Sequence, residues 1–94
     1  MANLRSLKKD VAFLTNEIVA DAQASILRHP DRKPEQALSI IEEAVEMYNQ
    51  LFLRINKPEP EAKDNPKLLK QHYRAIKKDL LENSHKLFQR IASL

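Results

Sequence analysis

The sequence predicts an all-α protein, an up-down-up bundle of three helices that forms one helical domain over residues 1–94. Three observations lead to this prediction. The chain has no glycine, which the tight turns of β-hairpins usually need. All five prolines fall in two clusters, HPDRKP at 29–34 and NKPEPEAKDNP at 56–66, and the segments around them have helical periodicity. A chain of 94 residues is long enough for one hydrophobic core and too short for two.

The first helix is expected over residues 3–28. Pro30 should end it, because the proline ring disfavours helical geometry at His29 and lacks a backbone N–H. The apolar seam of this helix, at steps of three and four residues, is Leu4, Leu7, Val11, Leu14, Ile18 and Ala22.

The second helix is expected over residues 33–56, with Asp31 as its cap, Pro34 in its first turn and Asn56 as a left-handed C-terminal residue before Pro58. Its seam residues are Ala37, Ile41, Ala44, Tyr48, Leu51 and Ile55. The apolar residues that flank this seam are Leu38, Val45 and Phe52 on one side and Ile40 and Met47 on the other. Because apolar residues cover about half of the circumference, this helix is predicted to be the central one.

The third helix is expected over residues 66–93. Asn65 followed by Pro66 is the clearest start signal, a capping side chain before a proline at the first helical position. The seam residues are Leu69, Tyr73, Ile76, Leu80, Leu87, Ile91 and Leu94. Short connections favour antiparallel neighbours, which gives the up-down-up order.

Surplus apolar residues outside these seams predict an interaction surface. On the first helix they recur every seven residues and point away from the seam at about 100° per residue, and on the third helix they continue the side that carries basic residues. The six residues are Phe13, Ala20, Ala24, Leu27, Leu81 and Phe88. We predict that they form a homodimer interface or contact another protein. The alternative is that they are ordinary scattered surface residues, or that an oblique helix crossing buries them within the monomer.

A stripe of basic side chains on the third helix is the second candidate site, a possible anion-binding face. Its members are Lys67, Lys70, Arg74, Lys77 and Lys78. The stripe is expected to be a solvated face or to pair with the acidic second helix across a dimer; the alternative is a nucleic-acid or anionic-surface binding accessory protein. The net charge of +3 is mild, and the sequence shows neither helix-turn-helix spacing nor an aromatic stacking platform.

The composition excludes several chemistries. With no cysteine there is no thiolate catalysis, and with no glycine there is no phosphate-binding Walker or dinucleotide loop. Glu82 and His85 have the Glu-x-x-His spacing of metal sites in helical bundles, but there is no second copy and both are expected on the outer side of the helix. His29 and His72 are expected to face solvent. We therefore predict a non-enzymatic protein without cofactor or metal.

The sequence also predicts a cytoplasmic protein without a membrane partner. Its first residues contain no apolar run of signal-peptide length, and no segment approaches the 18 or more apolar residues of a membrane span.

The helices rich in alanine, leucine and isoleucine, broken by HPDRKP and NKPEPEAKDNP, resemble those of a family of small bacterial all-α proteins. The resemblance covers the full chain. It implies a three-helix fold and implies no activity, and no functional residue is transferred from it.

Overall fold

A computed structural model describes residues 4–31, 34–58, 60 and 64–94. Its helices are α1 (Leu4–Arg28), α2 (Glu35–Asn56) and α3 (Pro66–Ala92), and each contacts the other two. This confirms the predicted all-α three-helix bundle. The helix bounds agree with the sequence prediction within two residues, although the predicted starts at residues 3 and 33 lie outside the described residues.

The first turn of α3 is capped as predicted, whereas that of α2 is not. The Oδ1 atom of Asn65 accepts hydrogen bonds from the backbone N–H groups of Lys67 at 3.1 Å and Leu68 at 3.3 Å. The residue that precedes α2 is Pro34, and no side chain among the described residues caps this helix. The predicted Asp31 cap is therefore wrong, because that residue lies three positions before the N-cap and cannot reach the free amides of the first turn.

The C-terminal end of α2 also differs from the prediction. Asn56 is still helical, and the cap is Lys57, with φ −129° and ψ 70°. No residue in the described part of the chain has a positive φ, so the predicted left-handed end at Asn56 is wrong. Pro58 explains the difference, since a proline pushes the residue before it toward extended geometry and so ends the helix without a left-handed turn.

The core is one apolar cluster between the three helices. Its buried members are Leu7, Val11, Ile18, Ala22, Ile40, Ala44, Met47, Leu51, Ile55, Ile76, Leu80, Leu87 and Ile91. Of the other predicted seam residues, Ala37 is buried, Leu14, Ile41, Tyr48, Leu69, Tyr73 and Leu94 are half-buried, and Leu4 is exposed. The seams of α1 and α3 are therefore close to those predicted.

The seam of α2 is rotated relative to the prediction. Ile40 and Met47 are buried, whereas Ile41 and Tyr48 are only half-buried. The structure does not single out α2 as the one central helix, because α1 and α3 also contact each other. The apolar residues beyond the α2 seam consequently lie at the protein surface.

Two ion pairs fix α2 and α3 in antiparallel register. The Arg54 guanidinium donates to the Asp79 carboxylate at 2.7 Å, and the Arg90 guanidinium donates to the Glu43 carboxylate. The two pairs lie eleven residues apart on each helix and in opposite chain directions, as antiparallel helices require.

A third ion pair joins α1 to α3. The Nζ of Lys77 donates to the Oδ2 of Asp10 at 2.9 Å. Since α3 uses one flank for Asp10 and the other for α2, it occupies the groove on one side of the α1–α2 hairpin.

Candidate interaction surface

The side of the α1–α2 hairpin away from α3 carries an uncharged surface. Asp10, Glu43 and Arg54 lie on the flanks that face α3, so the opposite flanks of both helices remain without a partner helix. At about 100° per residue, the positions on these opposite flanks between residues 12 and 27 and between 38 and 52 contain no charged side chain, and the exposed Glu17 of α1 and Glu42 of α2 lie at their outer edges. We call this the α1–α2 surface; its residues are Ala12, Phe13, Asn16, Val19, Ala20, Gln23, Ala24, Ile26, Leu27, Leu38, Ile41, Val45, Tyr48, Asn49 and Phe52.

Every residue of the α1–α2 surface is exposed or half-buried. Phe13 is 63% exposed, Leu27 81%, Leu38 49% and Val45 47%. Tyr48 packs beside Phe52, with their ring centroids 4.5 Å apart, and both rings lie against the core. The surface thus combines half-buried aromatic rings that pack on the core with several large apolar side chains that are exposed to solvent.

Four of the six residues predicted to form an interaction surface lie on the α1–α2 surface. Phe13, Ala20 and Leu27 are exposed along the outer face of α1, and Ala24 beside them is half-buried. They form one border of the surface, and the exposed residues of α2 form the other.

The two predicted residues on α3 lie elsewhere. Leu81 is 51% exposed, and Phe88 is half-buried against the core. By helical position, an acidic row on α1 formed by Asp10, Glu17 and Asp21 separates them from Phe13 and its neighbours. The four predicted residues of α1 therefore share a surface with α2 and not with Leu81 and Phe88 of α3. That all six contact one partner stays a prediction.

The predicted basic stripe is only partly free. Lys77 is paired with Asp10, and the Nζ of Lys78 lies 4.0 Å from the Oε1 of Glu82. Lys67, Lys70 and Arg74 are exposed and pair with no residue that the structure describes.

The charges of the bundle are concentrated by sign at its two ends. The end where α1 and α3 begin and α2 finishes (4–16, 46–58 and 64–79) has the basic residues Arg5, Lys8, Lys9, Arg54, Lys57, Lys67, Lys70, Arg74, Lys77 and Lys78 and the acidic residues Asp10, Glu46, Asp64 and Asp79. The opposite end (17–31, 34–45 and 80–94) has the basic residues Arg28, Lys86 and Arg90 and the acidic residues Glu17, Asp21, Asp31, Glu35, Glu42, Glu43 and Glu82.

Among the described residues, the basic end thus carries ten basic and four acidic side chains, and the acidic end carries three basic and seven acidic side chains. The bundle is therefore bipolar along its 54 Å length.

The three histidines differ in their exposure and in their contacts. Glu82 and His85 are both exposed, and no group of three or more metal-binding side chains occurs among the described residues. His72 is half-buried, and its Nε2 donates to the carbonyl oxygen of Arg54 at 2.8 Å. The expectation that His72 faces solvent is therefore wrong. Near the end of α2 the backbone carbonyl groups have no N–H donor within the helix, and the His72 ring supplies a donor for one of them. His29 is exposed as expected.

None of the described helices combines the length and the apolar character that crossing a lipid bilayer requires. Comparisons with protein-family models, with curated proteins and with solved structures find no match to this chain.

Proposed function

We propose that this chain is a cytoplasmic, non-enzymatic interaction protein that first associates with itself through the α1–α2 surface. The observation that carries the proposal is the width of that uncharged surface, which spans two helices and contains exposed Phe13, Leu27, Leu38 and Val45. Large apolar surfaces that solvent reaches are typical of protein contacts.

The small size of the chain supports self-association. Small domains bury a smaller fraction of their surface than large ones and are only marginally stable as monomers. Burying Phe13 and Leu27 fully would contribute about 1.5 to 3 kcal/mol for each side chain. A two-fold contact uses the same patch on both subunits, so each of these gains would occur twice.

The test is the solution mass of the wild-type protein and of a Phe13→Glu/Leu27→Glu double variant at high micromolar concentration. We expect a wild-type dimer and a double variant that is monomeric and still helical, because these side chains lie outside the core. Leu81→Glu is the matched control, since Leu81 is also an exposed leucine but lies beyond the acidic row, and this variant should remain dimeric. A wild-type mass of one chain would refute self-association.

A second candidate function is the binding of nucleic acid or another anionic surface at the basic end of the bundle. It is favoured by one observation: the exposed Arg5 and Lys9 of α1 lie at the same end as Lys67, Lys70 and Arg74 of α3. The positive ends of the α1 and α3 dipoles add to the charge there, and the negative end of the α2 dipole offsets one of them. Such binding would be salt-dependent and would involve phosphate contacts without base readout.

Retention on heparin or DNA tests this second candidate. Reversal of charge at Lys70, Arg74 and Lys77 should abolish salt-sensitive retention, whereas Phe13→Ala, which removes the apolar side chain without changing the charge, should leave it unchanged. The opposite pattern, in which retention depends on Phe13, would refute anion binding at the basic end.

A further inference from the structure

We infer that the occupant of the α1–α2 surface is a second copy of this chain in antiparallel orientation, with the basic end of each protomer beside the acidic end of the other. The inference rests on the proposed self-association and adds the orientation of the two copies. In this arrangement α1 packs on α1 of the partner subunit and α2 packs on α2 of the partner subunit.

The bipolar charge selects this orientation. A two-fold axis within the contact plane lies either along the bundle or across it. An axis along the bundle would place the two basic ends side by side. The positive charges of Arg5, Lys8 and Lys9 of one copy would then lie close to those of the other copy. An axis across the bundle instead brings each basic end next to an acidic end that carries Glu35 and Glu42. Complementary charge favours the second arrangement and disfavours the first.

The spacing of the apolar residues fits an axis at the middle of the surface. Phe13 and Leu27 lie seven residues on either side of Ala20, and Leu38 and Phe52 lie seven residues on either side of Val45. In antiparallel packing, Phe13 therefore meets Leu27 of the partner subunit, and the small Ala20 meets its own copy and allows the two α1 helices to approach closely. On α2, Val45 meets its own copy in the same way.

Engineered cysteines test the orientation, because the chain contains no cysteine of its own. With the axis at Val45, Leu38 lies beside Phe52 of the partner subunit and about 21 Å along the helix from its own copy, given a rise of about 1.5 Å per residue. We would mix a Leu38→Cys variant with a Phe52→Cys variant and treat the mixture with a thiol cross-linker clearly shorter than that separation. The mixed species should form in preference to either self-linked species, whereas a Leu81→Cys control should link poorly.

The salt dependence of the wild-type dimer is a second measurement that needs no substitution. Screening lengths fall from about 10 Å at 0.1 M salt to about 3 Å at 1 M, so the dissociation constant of an antiparallel dimer should be larger at the higher salt concentration. A dimer in which Leu38→Cys links mainly to itself, or which tightens with salt, would overturn the antiparallel orientation and leave self-association standing. A protein that remains a monomer would overturn both.

Discussion

Adjacent substitutions at Ala44 and Val45 test the burial register of α2 and the α1–α2 surface together. Ala44 is fully buried in the core, whereas Val45 is 47% exposed on the α1–α2 surface. In helix propensity an aspartate costs at most about 0.7 kcal/mol in place of alanine and almost nothing in place of valine, which is small beside the cost of burying a charge. The two variants therefore differ mainly in whether the new carboxylate is buried.

Ala44→Asp should lower the free energy of unfolding by several kcal/mol, because an unpaired carboxylate would enter a core made of apolar side chains. A domain of this length has about 5 to 14 kcal/mol of stability in all, so the loss is a large part of the total. At about 4 to 8 °C per kcal/mol, the melting temperature should fall by roughly 15 °C or more. Val45→Asp should remain folded, with a smaller loss, and should be monomeric.

Thermal and urea unfolding followed by circular dichroism, together with the solution mass, provide the measurements. The reasoning about α2 would be refuted by an Ala44→Asp variant that melts within a few degrees of the wild type. A Val45→Asp variant that loses as much stability as Ala44→Asp would refute the placement of Val45 on a surface.

Three further predictions concern single residues and their contacts. Leu80→Ala should lower the free energy of unfolding by about 2 to 5 kcal/mol in urea titrations. Leu81→Ala, at the next position but half-exposed, should lower it by less than about 1 kcal/mol, and equal losses would contradict the seam of α3. Asn65→Ala should lower the melting temperature through the loss of about 1 kcal/mol of capping, and Asn65→Asp should retain most of it, so an unchanged melting temperature for the alanine variant would contradict the cap. Arg54→Ala should cost no more than about 1 kcal/mol, because both Arg54 and Asp79 are about two-fifths exposed, and a loss of several kcal/mol would show that the pair is shielded from water.

The sequence was sufficient to predict the helices because their boundaries depend on local chemistry. Prolines and the Asn65 cap mark the helix ends, and steps of three and four residues mark the faces that pack together. The Asp31 cap and the left-handed Asn56 were wrong because both residue types are common at helix ends, and only the backbone geometry shows which position is used.

The rotated seam of α2 could not be predicted from periodicity alone. Apolar residues cover about half of that helix, so several faces fit the pattern equally well, and the positions of α1 and α3 decide between them. Thr15 and Ser84 are also buried, and a seam defined by apolar residues does not include them. Their spacing was informative: Thr15 lies four residues after Val11, and Ser84 lies four after Leu80.

The candidate site was predicted only in part. The heptad of Phe13, Ala20 and Leu27 was sufficient to identify the outer face of α1, because residues seven apart lie on one side of a helix. Whether this face of α1 forms one surface with Val45 of α2 depends on which side of the α1–α2 hairpin α3 occupies. That is a property of the tertiary structure, and local sequence patterns do not contain it.

The three ion pairs between helices also bear on the handedness of the bundle. A third helix packed on a two-helix hairpin can lie on either of its two sides, and the two results are bundles of opposite hand. Here both sides of the hairpin offer apolar residues, so hydrophobic burial alone discriminates weakly between them. Only one side offers Asp10, Glu43 and Arg54 as partners for α3, and packing on the other side would cover the α1–α2 surface and leave these charges unpaired. These partly exposed ion pairs add little to the free energy of unfolding, but they favour one hand of the three-helix bundle over the other.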